Sequence, residues 1–146
     1  MTKKLTIEDF KITAEYPVHW GDMDVARHVN NLLYLHWAES GRMSYFQAMG
    51  MDISFDKIGP ILGWQDCKYI FPMTYPDTAI VGVRTIEIKT DRIILETGIF
   101  SKRHQRIAAI SKQSIIPYNY ERLQKVDLPE SWRLGIKRIE DLIGGY

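Results

Sequence analysis

Five polar residues that could do chemistry lie close together in the chain: Asp22, Asp24, His28, Asn30 and Asn31. They occupy a polar segment directly before a predicted helix. The first N–H groups of a helix lack intrahelical partners, and this end of a helix favours negative charge. A carboxylate facing such a terminus can attack a carbonyl or activate water while the N–H groups hold the oxyanion. The segment is therefore compatible with acyl hydrolysis, although Asp and Asn before a helix also serve as capping and turn residues.

The helix that would position these groups is predicted over residues 31–50. Its apolar residues spread over most of the helix circumference, which is typical of a helix that is buried on most sides. Asn30 or Asn31 is the expected N-cap, and Gly50 is the expected stop. Gly41 lies inside the helix, where glycine costs about 1 kcal/mol relative to alanine. We therefore expect another backbone to approach closely at this position.

Strands are predicted on both sides of this helix. Apolar and polar residues alternate in the first strand, residues 8–20, where Pro17 indicates a bulge or an edge position. Long strands are predicted over 61–71, 78–90, 92–101 and 107–119, with a change of phase near Thr85 in the second of them. Their short connections favour an antiparallel meander. A short amphipathic helix is predicted over 129–142, after the start signals Asp127 and Pro129.

These elements predict one α+β domain over residues 1–146. A single apolar helix followed by long strands is covered most simply by an antiparallel sheet of about five strands that curls around it. The other face of such a sheet would still carry apolar residues. We therefore expect a homodimer or a larger homo-oligomer.

The site segment also resembles a known family. Residues 20–42 read W-G-D-x-D-x-x-x-H-V-N-N-x-x-Y-L-x-x-x-E-x-x-R, a pattern similar to the signature of acyl-CoA thioesterases related to 4-hydroxybenzoyl-CoA thioesterase. The order of elements is compatible with that family across nearly the whole chain. The resemblance implies a hotdog fold, in which a curved antiparallel sheet wraps a long central helix. It also implies a homodimer or homotetramer with its sites at the subunit interface.

The same resemblance implies roles for individual catalytic residues. Asp24 matches the family's catalytic carboxylate, as nucleophile or general base. The backbone N–H of Asn31 would polarise the thioester carbonyl. His28 would orient the loop or the substrate, although a purely structural role is equally compatible. Glu39 matches a helix acid that in some members approaches the thioester from the partner subunit; it could instead form an ordinary ion pair with Arg42.

Further residues are assigned to substrate binding. Asp22 matches the acid that precedes the catalytic one, which fixes the loop as a hydrogen-bond acceptor. Asn30 lies at the helix start, and Tyr34 could line the acyl pocket or belong to the core. The run H-V-N-N-x-x-Y-x-x-W-x-x-E-S also resembles plant acyl-ACP thioesterases. Those enzymes carry a catalytic Asn two residues after the Asp, where this chain has Ala26.

Cations near predicted strand ends could bind the phosphates of coenzyme A. Lys102, Arg103 and Arg106 cluster in one turn, and Arg92 begins a strand beside another turn. Arginine and lysine are the usual phosphate ligands, and the family tends to place such cations on these strand ends. A solvated hairpin tip is an equally good interpretation of each one.

Composition excludes several other classes of protein. The formal net charge is +1, with no basic stripe, so neither nucleic acid nor a membrane surface is the expected partner. A lone cysteine, the absence of a visible secretory signal and the absence of an apolar run near about 18 residues favour a cytoplasmic protein. The four histidines lack metal-ligand spacing, and we expect neither a metal nor a cofactor.

The prediction from sequence is thus a thioester hydrolase that acts on an acyl-CoA, with a fatty acyl chain favoured and coenzyme A present only as part of the substrate. Two alternatives remain open. One is hydrolysis of acyl groups carried by acyl carrier protein. The other is a non-catalytic hotdog protein that binds acyl or aromatic ligands, since a fold alone does not determine function.

Overall fold

The computed structural model describes residues 4–51 and 57–140. The elements in chain order are β1 (Ile12–Pro17), α1 (Asn31–Ala48), β2 (Ile58–Gln65), β3 (Lys68–Tyr69), β4 (Thr78–Ile88), β5 (Ile93–Ser101), β6 (Arg106–Asn119), β7 (Gln124–Lys125) and α2 (Glu130–Glu140). Single 3-10 turns precede β1 at Ile7–Asp9 and follow it at Trp20–Asp22. The chain thus has the predicted order of strand, long helix, strands and short helix.

The strands form one antiparallel sheet in the order β1-β4-β5-β6-β2, with β3 and β7 also paired to β6. This is the predicted hotdog architecture, a curled five-stranded sheet with a long helix on one face. The meander holds for β4, β5 and β6. The predicted 61–71 strand, however, lies beyond β6 at the far edge rather than beside β4. It is also two strands, because the Asp66 carboxylate accepts the Lys112 N–H at 2.8 Å and interrupts the ladder.

Helix α1 packs tightly on the inner face of the sheet. A Cβ atom added at Gly41 would lie 2.7 Å from a methyl group of Val81 and 3.1 Å from one of Val83. Glycine therefore permits the close approach expected from the sequence, but the neighbours are β4 side chains rather than another backbone. The buried core under the helix includes Tyr34 and Trp37.

One narrow stripe of α1 stays exposed on the side away from the sheet. It contains Leu32, His36, Glu39 and Gln47. The other residues of the helix after Asn31 are buried or half-buried, so the expectation of a helix that is buried on most sides is confirmed.

Several local predictions are confirmed. The helix begins after the N-cap Asn30, and Gly50 has a φ of 84° just beyond its end. Pro17 ends an edge strand, since β4 is the one partner of β1 among the residues that the structure describes. The phase change near Thr85 is a bulge between Thr85 and Glu87. The first strand is shorter than predicted, because residues 7–9 form a 3-10 turn instead.

Helix α2 packs against the C-terminal part of α1. The buried hydroxyl of Tyr45 contacts Glu140 Oε2 at 2.5 Å and Thr85 Oγ1 at 2.7 Å, and the Thr85 N–H donates to the same carboxylate at 2.9 Å. At the other contact, Gly135 lies against the carbonyl of Met49. The last two residues of the predicted 129–142 helix lie outside the described residues.

Candidate active site

The loop between β1 and α1 folds into a small hairpin that presents Asp24. The Asp24 N–H donates to the His28 carbonyl at 2.9 Å, and the Arg27 N–H donates to the Asp24 carbonyl at 2.9 Å. Met23 and Val29 pair across the base of this hairpin. Arg27 has a φ of 64°, which is the left-handed conformation that lets the chain turn back.

Asp22 ties the hairpin to both neighbouring segments. Its Oδ2 accepts the His19 N–H at 2.7 Å, and its backbone carbonyl accepts the Asn30 N–H at 2.9 Å. The carboxylate thereby fixes the turn that precedes the hairpin. This is the loop-fixing contact expected from the sequence; substrate binding by Asp22 stays a prediction.

The start of α1 presents a free backbone donor. Asn30 caps the helix, because its Oδ1 accepts the Leu32 N–H at 3.0 Å. The neighbouring Val29 N–H donates to the Met73 carbonyl at 2.9 Å, which holds the helix start against the sheet. The Asn31 N–H has no acceptor within the described part of the chain. It is one of the unpaired donors that every helix N-terminus offers.

Among the described residues, one of the two Asp24 carboxylate oxygens accepts a hydrogen bond from the protein. Its Oδ1 accepts the N–H of Ala26 at 2.9 Å, which is a local turn interaction. No protein donor among the described residues contacts Oδ2, and the residue is exposed. One oxygen is therefore oriented by the backbone, and the other is available to a ligand.

Asp24 and Asn31 line the same cleft, which has a volume of about 580 Å³. This size falls within the range of small-molecule sites. The other lining residues are Val29, Asn30, Leu32, Tyr34, Tyr69, Ile70, Phe71 and Pro72. The structure therefore brings a carboxylate and the helix N-terminus together at the opening of an apolar, aromatic-walled cleft.

Two tyrosines line this cleft. Tyr34 is 3% exposed, and its hydroxyl oxygen accepts the Met73 N–H at 3.1 Å. Burial raises the pKa of Tyr34, so its phenol stays protonated at neutral pH. The ring of Tyr69 lies edge-on to that of Tyr34, with centroids 5.4 Å apart, and its hydroxyl donates to the Asn31 carbonyl at 3.0 Å.

Two residues predicted to be catalytic lie outside the cleft in one protomer. The imidazole of His28 is exposed, and only the backbone of this residue contacts Asp24. Glu39 is exposed on the outer side of α1, about 12 Å along the helix axis from Asn31 at 1.5 Å per residue. Within the described residues Glu39 and Arg42 do not form an ion pair. Arg42 is 7% exposed, and burial lowers its pKa.

The predicted phosphate-binding cations are divided between the two ends of β5. Arg92 lies at the end remote from the cleft and pairs with Asp91 at 3.1 Å. Lys102 pairs with Glu15 at 2.9 Å, and Arg103 donates to the Pro76 carbonyl at 3.2 Å. Because β5 spans about 30 Å at about 3.3 Å per residue, Arg92 does not share a phosphate with Lys102 inside one chain.

Arg106 lies beside the cleft. Its guanidinium lies 4.3 Å from the ring centroid of Phe71, a cleft residue. Sequence reasoning grouped Arg106 with Lys102 and Arg103 as cations that could bind phosphate. It missed Tyr69 and Phe71, because no motif marks them. The one available signal was the aromatic content of the segment between Trp64 and Phe71.

Comparison with known proteins identifies the family. The model of the thioesterase-like superfamily matches residues 18–135, which include the site loop, α1 and the strands from β2 to β7. The chain belongs to the thioesterase-like superfamily. Membership in this superfamily indicates that the chain is a thioester hydrolase. No curated protein matches the chain.

Solved structures of thioesterases have the same fold. A provisionally assigned thioesterase from Pseudomonas aeruginosa, PA2801, is 27% identical with a TM-score of 0.79 and covers 87% of this chain and 98% of its own. A thioesterase from Thermus thermophilus, solved with coenzyme A and zinc, is 24% identical with a TM-score of 0.81 over 92% of this chain and 98% of its own. The 1,4-dihydroxy-2-naphthoyl-CoA thioesterase of Synechocystis is 18% identical with a TM-score of 0.75. The match covers 86% of this chain and 94% of that enzyme.

The described residues contain neither a metal-binding cluster nor a membrane-spanning helix. No three His, Cys, Asp or Glu side chains are grouped there as they would be around a metal ion. In the same ranges, 4–51 and 57–140, neither helix is long and apolar enough to cross a bilayer.

Proposed function

We propose that the chain is a thioesterase that hydrolyses a fatty acyl-CoA to the free acid and coenzyme A, with Asp24 as its central carboxylate. The observation that supports this most strongly is the shared cleft, which is lined by both Asp24 and the first helix residue, Asn31. An acyl thioester needs these two groups: one to deliver oxygen to the carbonyl carbon and one to hold the charge that forms on the carbonyl oxygen.

The chemistry follows from these positions. The thioester oxygen accepts a hydrogen bond from the Asn31 N–H, whose helix terminus stabilises the developing negative charge. Asp24 then either attacks the carbonyl carbon, giving a mixed anhydride that water cleaves, or removes a proton from the attacking water. In both routes the C–S bond breaks and coenzyme A leaves as the thiolate. In the general-base route the proton held by Asp24 then passes to this thiolate, which regenerates the carboxylate, whereas in the nucleophilic route the cleavage of the anhydride by water regenerates it. Neither route requires a metal or another cofactor.

Supporting residues hold the Asp24 carboxylate and the Asn31 N–H in position. Asp22 and Asn30 fix the two ends of the Asp24 hairpin. Tyr34 lines the cleft, where it meets the acyl group. His28 would orient the pantetheine arm rather than the carboxylate, a role that its exposed imidazole supports.

The nucleotide end of coenzyme A would lie along the turn between β5 and β6. Arg106 stacks on Phe71 at the cleft, and Lys102 and Arg103 follow in the same turn, so that the pyrophosphate meets positive charge as it leaves the cleft. Arg92 can contribute only if a second subunit brings it there.

A homodimer is the proposed minimal assembly, with a homotetramer as the larger form. Within the described residues, strand β2 pairs with β6 alone, and it exposes Ile61, Leu62 and Trp64. An edge strand with exposed apolar side chains favours pairing with another chain. A second subunit could also bring Glu39 to the thioester. The proposed setting is the cytoplasm, and the proposed role is in fatty acid metabolism.

Two rival functions remain, as an acyl-ACP thioesterase or as a non-catalytic carrier of acyl or aromatic ligands. The first test is release of free thiol from a panel of acyl-CoAs, short to long plus aromatic, with one acyl carrier protein thioester. Release from at least one acyl-CoA supports the proposal and gives the acyl preference. Release only from the carrier protein thioester favours the first rival. Saturable binding without any release favours the second.

A further inference from the structure

The N-terminal segment, residues 5–10, packs on the outer face of the sheet, which is the face turned away from α1. Phe10 forms a buried cluster there with Phe100 and Ile107, separate from the core under the helix. The half-buried residues around this cluster are Leu5, Ile7, Ile80 and Ile110. The chain therefore covers an apolar part of its own sheet with a segment of its own.

Two glycines form the recess that receives the Phe10 ring. Gly82 of β4 and Gly98 of β5 are register partners in the sheet. A Cβ atom added at Gly82 would lie 2.5 Å from Phe10 Cγ, and one at Gly98 would lie 3.0 Å from the same ring. A side chain at Gly82 would therefore displace the ring. Because the recess fits this one aromatic side chain, Phe10 is the anchor of the N-terminal segment.

A charged row lies beside this recess. The Arg84 guanidinium lies 5.3 Å from the centroid of the Phe10 ring, and its Nε and Nη2 donate to Glu96 Oε1 at 3.0 and 2.7 Å. Lys112, which is exposed, is the register partner of Glu96 on the next strand. Contact with another sheet would remove water from these three charges, which is costly. This part of the outer face is therefore unfavourable for assembly.

The covered face changes what the sequence implied about assembly. An oligomer was expected because the second face of the sheet would carry apolar residues, and exposed apolar patches favour association. In the structure Phe100 and Ile107 are only 6% and 5% exposed. The edge strand β2, in contrast, keeps large apolar side chains exposed, such as Trp64 at 54%. The apolar surface that remains open for a partner thus lies at this edge.

We propose that residues 5–10 close the outer face of the sheet to a second copy of the chain, so that assembly stops at the homodimer formed through β2. The inference rests on the homodimer of the proposed function, and it excludes a homotetramer built on the outer face. Without the segment, Phe100 and Ile107 would be exposed. Two copies of this face would then bury them against each other about a two-fold axis.

The experiment measures the mass of the wild type, Phe10→Ser and Gly82→Ala by light scattering after size exclusion. The wild type is expected to have the mass of two chains. Phe10→Ser removes the anchor, and Gly82→Ala fills the recess while every residue of the segment is kept. Both variants should double the mass to four chains at high protein concentration. Trypsin cleavage after Lys11 should become about tenfold faster in both, because the segment opens more often.

Two further variants act as controls. Gly21→Ala matches Gly82→Ala, because a Cβ atom at Gly21 meets nothing within 4 Å, and it should keep the wild-type mass and cleavage rate. The double variant Phe10→Ser/Ile107→Lys separates specific pairing from loss of folding. A lysine on the uncovered face should return the mass to two chains, since burial of an unpaired charge opposes the contact. Aggregates that persist in this double variant would assign the effect to unfolding and overturn the inference.

The other contradicting results are equally distinct. A wild-type mass of four chains, or a variant that releases the segment but stays at two chains, would overturn the inference. An unchanged cleavage rate in both Phe10→Ser and Gly82→Ala would do the same, because Phe10 would then not be the anchor. Thioesterase activity is decided separately by thiol release. If the wild type is a monomer, the proposed homodimer fails, and the inference is decided by whether Phe10→Ser doubles that mass.

Discussion

The backbone N–H of Asp24 donates to the carbonyl of His28 at 2.9 Å, so these two residues close one tight hairpin at the mouth of the cleft. The bond joins main-chain atoms and does not depend on the imidazole. The carboxylate of Asp22, in contrast, fixes the turn before the hairpin through its side chain, which accepts the His19 N–H at 2.7 Å. Substitutions at the two positions should therefore have different consequences.

His28→Ala should keep the fold and lower kcat/KM by less than about tenfold, because the hairpin bond survives. Asp22→Ala should lower the free energy of unfolding by about 1 kcal/mol, the usual cost of losing a capping side chain, and should reduce activity more than His28→Ala. Urea unfolding and thiol release on both variants check this. A larger activity loss in His28→Ala would show that the imidazole takes part in the chemistry.

Gly41→Ala should destabilise the protein although alanine is the better helix former. The added Cβ would lie 2.7 Å from Val81, and overpacking of this kind costs about 1–3 kcal/mol, more than the gain of about 1 kcal/mol in helix propensity. Gly21→Ala is the control, since a Cβ there meets nothing within 4 Å. Urea unfolding at neutral pH measures both. A stabilised Gly41→Ala would contradict the packing of α1 on β4.

Stability should fall as the pH rises above about 10, and Tyr45 should be one cause. Burial and the contact with Glu140 raise the pKa of Tyr45. In the unfolded chain its pKa is about 10. Above that pH the unfolded state releases a proton that the folded state retains, so the free energy of unfolding decreases.

Tyr45→Phe checks this pH dependence. It should lower the free energy of unfolding at pH 7 by about 1–3 kcal/mol, because Glu140 and Thr85 lose a buried partner, but the variant should lose less stability than the wild type between pH 9 and 11. Urea unfolding over this pH range provides the comparison. Parallel pH curves for the two proteins would refute the assignment to Tyr45.

Much of the fold could be predicted from the sequence, because local patterns carry it. The N-cap at Asn30, the bulge after Thr85 and the edge position of Pro17 each follow from the residue types at those positions. The place of β2 could not be predicted in this way. Its pairing with β6 is a long-range contact, and the break at Asp66 depends on the amide of Lys112 across the ladder.

The candidate site likewise has local features that the sequence predicts and long-range features that it does not. The hairpin around Asp24 and the donor at Asn31 lie within one short segment, where order and spacing make them visible. Tyr69 and Phe71 reach the cleft from the sheet, and only the fold brings them beside Asn31. Arg92 was grouped with Lys102 and Arg103 by residue type, but β5 separates them by its full length.

The exposed edge strand β2 leads to a prediction about assembly. Trp64 on β2 is 54% exposed, and Trp64→Lys should shift a homodimer towards monomers, since a charge on an edge strand opposes pairing. Leu134→Lys is the control, because Leu134 is 53% exposed on α2, away from β2. Light scattering after size exclusion gives the mass of each. A dimer that survives Trp64→Lys as well as it survives Leu134→Lys would exclude this edge as the interface.

The most direct measurement is kcat for Asp24→Asn on the best acyl-CoA substrate of the wild type. Asparagine keeps the size of the side chain and an oxygen that can accept the Ala26 N–H, so the fold should be retained, as judged by circular dichroism and urea unfolding. Asp127→Asn, a substitution of another aspartate outside the cleft, is the matched control and should keep wild-type activity.

With Asp24 as nucleophile or general base, Asp24→Asn should lower kcat by at least about a hundredfold, the lower end of what a general base contributes, while Asp127→Asn does not. A folded Asp24→Asn variant with kcat within a few-fold of the wild type would show that another group delivers oxygen to the thioester.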